Sequence, residues 1–320
     1  MTDRNDVGGP EGILVVDKPI GPTSHDVVAI VRRLSGVRRV GHGGTLDPFA
    51  AGVLPVFLGR ATRMVEYHLA DEKAYRAVMV FGARSTTDDL DGELTPTDRP
   101  APSRAAVEAA LGALRGVIEQ TPPVYSAVRI GGRHAYDLAR HGETPELKSR
   151  TVTIHQVEVV DWDIADPDRP AATVELRCSA GTYVRAIARD AGDALGTGAY
   201  LGALVRTASG PFRRDGSHPL DEVREYLTSG RAGELLLPPD SGLEAYPSVR
   251  VDADSLAGLA RGQVVRLRSD APPAPGPSGL VRVLSADGRL AAMARLDAGR
   301  LHPEKVFLEP PAPAGTAAPA

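Results

Sequence analysis

The chain has 320 residues, 42% hydrophobic but only 4% aromatic, so its core must be built mainly from Val, Leu, Ile and Ala, and its length suits one large domain plus one small one. A single cysteine, Cys178, excludes an internal disulfide and a cysteine-based metal site, and no run of about 18 apolar residues is present to form a membrane-spanning helix. The formal net charge of −4 speaks weakly against a nucleic-acid partner, yet the signs are segregated: Arg32, Arg33, Arg38, Arg39, Arg60 and Arg63 form one basic cluster, Arg129, Arg133, Arg140, Lys148 and Arg150 a second, and acids gather at Asp88, Asp89, Asp91, Glu93 and Asp98.

In chain order, residues 1–10 and 309–320 are rich in Gly, Pro and Ala and read as disordered tails. The polar start carries no signal-peptide pattern, so a cytoplasmic protein is expected. Ile13–Asp17 is a strand-like run that turns at Asp17-Lys18-Pro19. Val27, Val28, Ile30, Val31 and Leu34 then follow helical spacing, with Thr23 or Ser24 as cap and Gly36 as terminator. After a basic turn come Gly41–Pro48 and a second apolar run, Val53–Leu58. Tyr75, Ala77, Met79 and Phe81 alternate as one strand face, and Val107, Leu111 and Leu114 suggest a helix capped by Ser103. Val152–Val160 and Thr173–Cys178 read as strands, whereas Val184, Ile187, Ala188, Ala191 and Leu195 form one helical stripe. Strands and helices mix without regular βαβ alternation, which predicts an α+β domain over residues 11–240 with a central mixed, largely antiparallel sheet. A linker around 236–247 leads to the short strands Val249–Val251, Val264–Leu267, Gly279–Leu284 and Ala291–Leu296, a small β-rich domain over 246–308 with a Pro-rich surface loop at Ala271–Pro277.

The segment Gly41-His42-Gly43-Gly44-Thr45-Leu46-Asp47-Pro48 holds the strongest chemical signal. Three glycines remove side-chain bulk and permit positive φ, so the backbone can approach a planar or sugar–phosphate ligand. Pro48 pushes Asp47 toward an extended conformation, placing a carboxylate on a stiffened loop between a helix and an apolar strand. A plain Gly-rich turn has the same composition. It is neither a P-loop nor a dinucleotide fingerprint, because the Gly-Lys-Ser/Thr and Gly-x-Gly-x-x-Gly spacings are absent. Thr87–Gly92 resembles a calcium loop only faintly, since Thr87 stands at its first position, and no metal is expected.

The stretch GHGGTLDPFAAGVLPVFLGRATR resembles the catalytic motif of the tRNA pseudouridine synthase B family. Val15–Pro19, Lys73–Arg76, Pro123–Ala127 and Cys178–Arg185 resemble further motifs of that family, and the likeness runs in order from about residue 12 to 308. The resemblance implies isomerisation of uridine 55 to pseudouridine in the T loop of tRNA, without a cofactor and without a metal. Asp47 is implied as catalytic nucleophile, and three routes remain open for it: attack on the sugar C1′, attack on C6 of the base, or removal of a 2′ proton. Arg185 is implied as the cation that keeps that carboxylate ionised and aimed. Tyr75 is implied to stack on the target base, its hydroxyl serving proton transfer at C5, while Tyr183 and Leu204 shape the same pocket. His42 is implied to stabilise the stack disrupted by base flipping. A thumb-like insert at about 126–150 would grip phosphates through Arg129, Arg133 and Lys148, making affinity salt-dependent. The C-terminal domain resembles a PUA module. The expected partner is the T arm of tRNA, the expected state a monomer away from membranes. Gly43 departs from the Thr common at that position, which removes a hydroxyl and predicts a looser loop.

A tRNA-binding or tRNA-folding protein with secondary or lost catalysis is the alternative. A carboxylate-dependent hydrolase would need a second acid in a comparable motif, and the Asp88–Asp91 group reads only as a polar turn.

Overall fold

The computed structural model describes residues 9–126, 128–140, 146–267 and 279–307. Most of both predicted tails, the Ala271–Pro277 loop, and residues 127 and 141–145 of the insert lie outside them. Among the described residues, no helix is long and apolar enough to cross a membrane.

A ten-stranded sheet forms the centre. Its path runs His218–Pro219, Gly12–Lys18, Ala51–Leu58, Ala199–Ser209, Lys73–Phe81, Ala171–Cys178, Arg150–Asp163, Gly116–Gln120, with Val40–His42 and Phe212–Arg213 paired beside it. Antiparallel ladders dominate, but His218–Pro219 runs parallel to Gly12–Lys18, and Val205 and Arg206 pair in parallel with Ala51 and Gly52. The sheet is therefore mixed and largely antiparallel, as the α+β reading predicts.

Strand Gly12–Lys18 shows why an unbroken apolar run was needed. Leu14 and Val16 pack with Val27, Val28 and Val31 of helix Ser24–Ser35 and with Val223 and Leu227 of helix Leu220–Thr228. Ile13 and Val15, pointing to the other face, join Phe57, Met64, Leu243, Leu280, Met293 and Phe307. Both faces are buried, so alternation disappears. Helix Ser24–Ser35 begins with a capping box, in which Asp26 N–H donates to Thr23 Oγ1 (3.0 Å) and Thr23 N–H to Asp26 Oδ2 (2.9 Å). It ends at Gly36 with φ 69°. Helices Arg104–Ala113 and Val184–Leu195 cover the far half of the sheet through Val107, Leu111, Ile187, Ala188 and Ala191.

A second, five-stranded sheet takes the order Ser248–Arg250, Leu280–Leu284, Leu290–Asp297, Arg300–Val306, Val265–Arg266, with helix Ala253–Ala260 against it. Its own core holds Val249, Leu259, Val281, Val283 and Leu301. Polar ties to the large sheet's side come from Arg60 Nη1 donating to the Phe307 carbonyl (2.8 Å), Arg63 donating to the Val306 carbonyl, and the Lys305–Glu66 ion pair (3.0 Å).

Several elements escaped the sequence patterns, among them the central strand Ala199–Ser209 and helix Leu220–Thr228. Gly116–Gln120 is a short edge strand whose Val117 is exposed. Helix Ala253–Ala260 is built from small residues that leave little periodicity. Arg300–Val306 contains Pro303, which argues against a strand but is accommodated where the ladder slips between Met293 and Ala294.

Gly52 marks the closest approach in the large sheet. Its φ is +105°, and a Cβ there would lie 2.2 Å from the Arg206 carbonyl oxygen and 2.8 Å from the Arg206 nitrogen. Gly52→Ala should therefore destabilise the fold by on the order of 2 kcal/mol or more, read as a lowered urea midpoint. An unchanged midpoint would contradict this account of the strand contact.

Candidate active site

The loop bearing Asp47 joins strand Val40–His42 to strand Ala51–Leu58, and its main chain is held from three sides. From below, the buried Arg206 donates to the carbonyls of Gly44 (3.1 Å) and Thr45 (3.2 Å), and its Nε reaches Val53 O (2.8 Å). Helix Ser24–Ser35 contributes Ser24, whose buried hydroxyl accepts from Leu46 N–H (2.8 Å) and donates to Leu46 O (3.1 Å). The turn after Gly12–Lys18 contributes Lys18, whose Nζ donates to the carbonyls of Pro19 (2.9 Å), Pro22 (2.8 Å) and Pro48 (3.4 Å), while Gly21 N–H also donates to Pro48 O (2.9 Å). At φ +128° Gly44 takes the positive-φ turn that a side chain would resist. The residues on each side of Asp47 are thus fixed, and its carboxylate has little freedom.

Arg185 receives that carboxylate. Its Nη2 lies 2.9 Å from Asp47 Oδ2, and its Nη1 lies 3.1 Å from Asp89 Oδ2. The same guanidinium donates to Thr87 O (3.1 Å) and Tyr125 O (3.0 Å), leaving Nε–H without an acceptor among the described residues. Arg185 and the Asp89 side chain are each 5% exposed, whereas the Asp47 side chain is 35% exposed. One end of this acid–arginine–acid row is sealed in protein and the other opens to solvent.

Asp89 corrects the sequence reading. Its surroundings do form a turn, but its carboxylate points inward, accepting from Thr87 Oγ1–H and from Asp91 N–H (3.0 Å). Asp88 adopts φ 62°, its carbonyl accepts from Leu201 N–H (3.0 Å), and its carboxylate pairs with Arg189 (3.0 Å). Burial raises both carboxyls from the ordinary carboxylate value, with the neighbouring arginines pulling each back.

Tyr75 lies half-buried on strand Lys73–Phe81, opposite Arg206 in the ladder. Burial pushes its phenol up, and the adjacent Arg206 offsets this in part. The hydroxyl therefore carries its proton at neutral pH and can donate. Leu204, buried and opposite Ala77, flanks it two residues before Arg206. Tyr183 precedes helix Val184–Leu195 and so stands two residues from Arg185. At the head of the loop, His42 Nδ1 accepts from Gly44 N–H (3.2 Å), which leaves the ring proton on Nε2. Burial first, then Arg206 and His25, hold this imidazole below its ordinary value, so it is neutral at pH 7.

Asp47 and His42 thus share one loop, Arg185 meets the Asp47 carboxylate and Tyr75 lies close enough to feel it, while Leu204 sits on the strand beside Tyr75 and the Tyr183 ring lies under the Arg150 guanidinium. Arg129, Arg133 and Lys148 lie apart on the insert, exposed, where Arg129–Ile130 pairs with Arg133–His134 in a short hairpin. Gly43, where a looser loop is expected, is tied to the next strand and faces Phe57. Gly43 N–H donates to Pro55 O (2.9 Å), and a Cβ on Gly43 would meet the Phe57 ring at 3.2 Å. Phe57 fills the space a larger residue would take. Cys178 is buried, and burial pushes its thiol up to about 11, as suits a core residue.

Asp89 and Arg206 were missed as site residues. A signal existed for Arg206, because it falls in phase with Leu204 and Ala208 on the buried side of its strand. Lys18, likewise in phase with Leu14 and Val16, is fully buried.

Residues 32–184 match the model of the TruB family pseudouridylate synthase N-terminal domain, residues 185–244 the tRNA pseudouridylate synthase B C-terminal domain, and residues 247–307 the pseudouridine synthase II TruB C-terminal model. A tRNA pseudouridine synthase B of Bradyrhizobium diazoefficiens is 44% identical over 95% of this chain and 87% of its own length. That of Thermobifida fusca is 44% identical over 93% of this chain and 98% of its own. The chain belongs to the TruB family of pseudouridylate synthases. Among solved structures, a chain from an H/ACA ribonucleoprotein bound to a substrate RNA containing 2′-deoxyuridine superposes with a TM-score of 0.71 at 25% identity, covering 93% of this chain and 86% of that one.

For this TruB family member, the sealed end of the row has a measurable consequence. Asp89→Asn removes one of two charges that balance Arg185, and a displacement of about 1 Å at a reacting group can cost about 10²-fold in rate. We expect pseudouridine formation to fall by about that factor in single-turnover assays, and an Asp89→Asn rate equal to wild type would show that the inner carboxylate is dispensable.

Lys18 predicts a pH effect. Burial pushes it from 10.5 down to about 8, with Asp47 drawing it partly back. Between those values the unfolded chain keeps a proton that the folded chain has released. Its contribution to stability is therefore lowest below about pH 8 and rises up to about pH 10.5. The urea midpoint of wild type relative to Lys18→Met should rise across this window; a constant difference would remove Lys18 as its source.

Proposed function

We propose that this chain isomerises uridine 55 to pseudouridine in the T loop of tRNA, with Asp47 as the nucleophile. The observation that carries the reading is an aspartate held 2.9 Å from a buried arginine yet still 35% exposed, on a loop whose carbonyls are fixed by Arg206 and Lys18. Its TruB relatives, named tRNA pseudouridine synthases, support the choice of substrate.

In this isomerisation the N1–C1′ bond breaks, the base turns, C5 joins C1′, C5 loses its proton and N1 gains one. No electrons are exchanged with a second molecule and no group leaves, so neither cofactor nor metal is required. Asp47 supplies a carboxylate that can add and later leave. Arg185 aims it, and Tyr75, near the same loop, is suited to stack on the base; because its phenol holds its proton, it takes the C5 proton only by handing its own to solvent in the same step. Leu204 and Tyr183 bound the base, and neutral His42 offers an aromatic face to the stack opened when the nucleotide is flipped out, a step costing a few kcal/mol. Arg129, Arg133 and Lys148 grip the phosphates of the T arm, and the C-terminal sheet, read as a PUA-like module, contacts the arm away from the site. The enzyme works as a monomer in the cytoplasm.

Asp47→Asn keeps side-chain size and removes the nucleophile. Pseudouridine mapped at nucleotide resolution in unmodified tRNA should form about 10⁴-fold more slowly or worse, with tRNA binding retained. Near wild-type rate in this variant would end the nucleophile assignment. A wild-type chain that binds tRNA and isomerises nothing would favour a tRNA-binding or folding protein instead.

A further inference from the structure

Gln120, at the end of edge strand Gly116–Gln120, has no exposed surface, and its side chain is spent entirely on one other residue. Its Oε1 accepts from Tyr183 N–H (2.8 Å), and its Nε2 donates to Tyr183 O (3.2 Å). A primary amide can match the donor and acceptor of one backbone position in this way, fixing both its place and its rotation. Tyr183 is the N-cap of helix Val184–Leu195 and provides no side-chain cap of its own. Ordinary caps hold the first turn through Ser, Thr, Asp or Asn within the chain; here the hold comes from a strand 63 positions away.

A second residue completes the grip. Arg150 is the register partner of Gln120 on the neighbouring strand, and its guanidinium lies over the Tyr183 ring, 5.1 Å from the centroid. One neighbour holds the backbone of Tyr183, the other covers its ring. Two further bonds join the same segments, from Arg189 Nη2 to Thr121 O (2.8 Å) and from Arg185 Nη2 to Tyr125 O (3.0 Å). The helix start therefore sits where residues 120–125 place it, and Arg185 lies on its first turn.

We propose that Gln120 is a positioning residue that sets the direction of the Val184–Leu195 first turn and thereby the angle at which Arg185 meets Asp47. The distance from Gln120 to the chemistry is bridged by a single short path: amide to Tyr183 backbone, two residues along the helix, guanidinium to carboxylate. This rests on the pseudouridine reading above. Gln120 itself touches neither the Asp47 carboxylate nor the Arg185 guanidinium, so its loss should act on the rate of the bound complex and leave RNA capture largely intact.

Two variants test it. Gln120→Leu removes both hydrogen bonds at similar volume. Gln120→Glu keeps the acceptor for Tyr183 N–H but turns a carboxylate oxygen toward the Tyr183 carbonyl, so only the donor is lost. Single-turnover pseudouridine formation on unmodified tRNA should fall at least about 10-fold in each, while the tRNA Kd, measured by filter binding, stays within about 3-fold. If Gln120→Leu does not fold, Gln120→Glu decides alone. A folded variant that isomerises within about 2-fold of wild type overturns the proposal, as does a rate loss matched by an equal loss of tRNA affinity. A wild-type chain that leaves tRNA uridine unchanged overturns the pseudouridine reading and this inference with it, whereas an active wild type beside an equally active Gln120→Leu overturns this inference alone.

Discussion

A guanidinium taken out of water must be surrounded by acceptors, because an unpaired buried charge costs several kcal/mol. Arg185 meets that demand at its two terminal nitrogens with groups from three distant stretches of chain: Asp47, the Thr87–Asp89 turn, and Tyr125. Each of these is therefore drawn to one point by the same electrostatic need. The helix that carries Arg185, the glycine-rich loop, the acidic turn and the root of the insert are organised around it. Because Asp89 and the two carbonyls lie on the inner side, the guanidinium plane is set before any substrate arrives, and Asp47 can keep a free side toward solvent.

Beneath the loop the same logic works with opposite geometry. Arg206 and Lys18 send their charges into the main chain, each gathering carbonyl oxygens that would otherwise be poorly solvated. These contacts hold a segment whose three glycines would by themselves be pliant. The two buried cations also place positive charge on the protein side of the loop, where it complements a carboxylate and, during reaction, any negative charge that develops on a detached base. Rigidity and electrostatics thus come from the same side chains.

Much of this was legible in the sequence. The mixed, largely antiparallel sheet followed from short apolar runs without βαβ alternation, and the capped helix from Thr23 and Gly36 stands as read. Pairing between Asp47 and Arg185 rests on two segments far apart in the chain, and only the family motifs joined them on paper. Asp89 was hidden for a physical reason: in a row of acids, the one that turns inward is chosen by the Asp88 backbone and the bridge to Leu201, both tertiary effects. Gln120 was hidden because a buried amide at a strand end looks like any polar edge residue until the helix start is seen docked on it. Arg206 was nearer to view, since a charge in buried phase on a strand asks for an explanation.

The apolar cluster shared by the two sheets governs whether the terminal unit can come away. Ile13, Val15, Phe57 and Met64 from the first sheet's side interlock with Leu280, Met293 and Phe307 from the second. Units that part and rejoin need a water-compatible surface where they separate. Here separation would lay bare an oily seam on both pieces, so the terminal unit is built to stay docked.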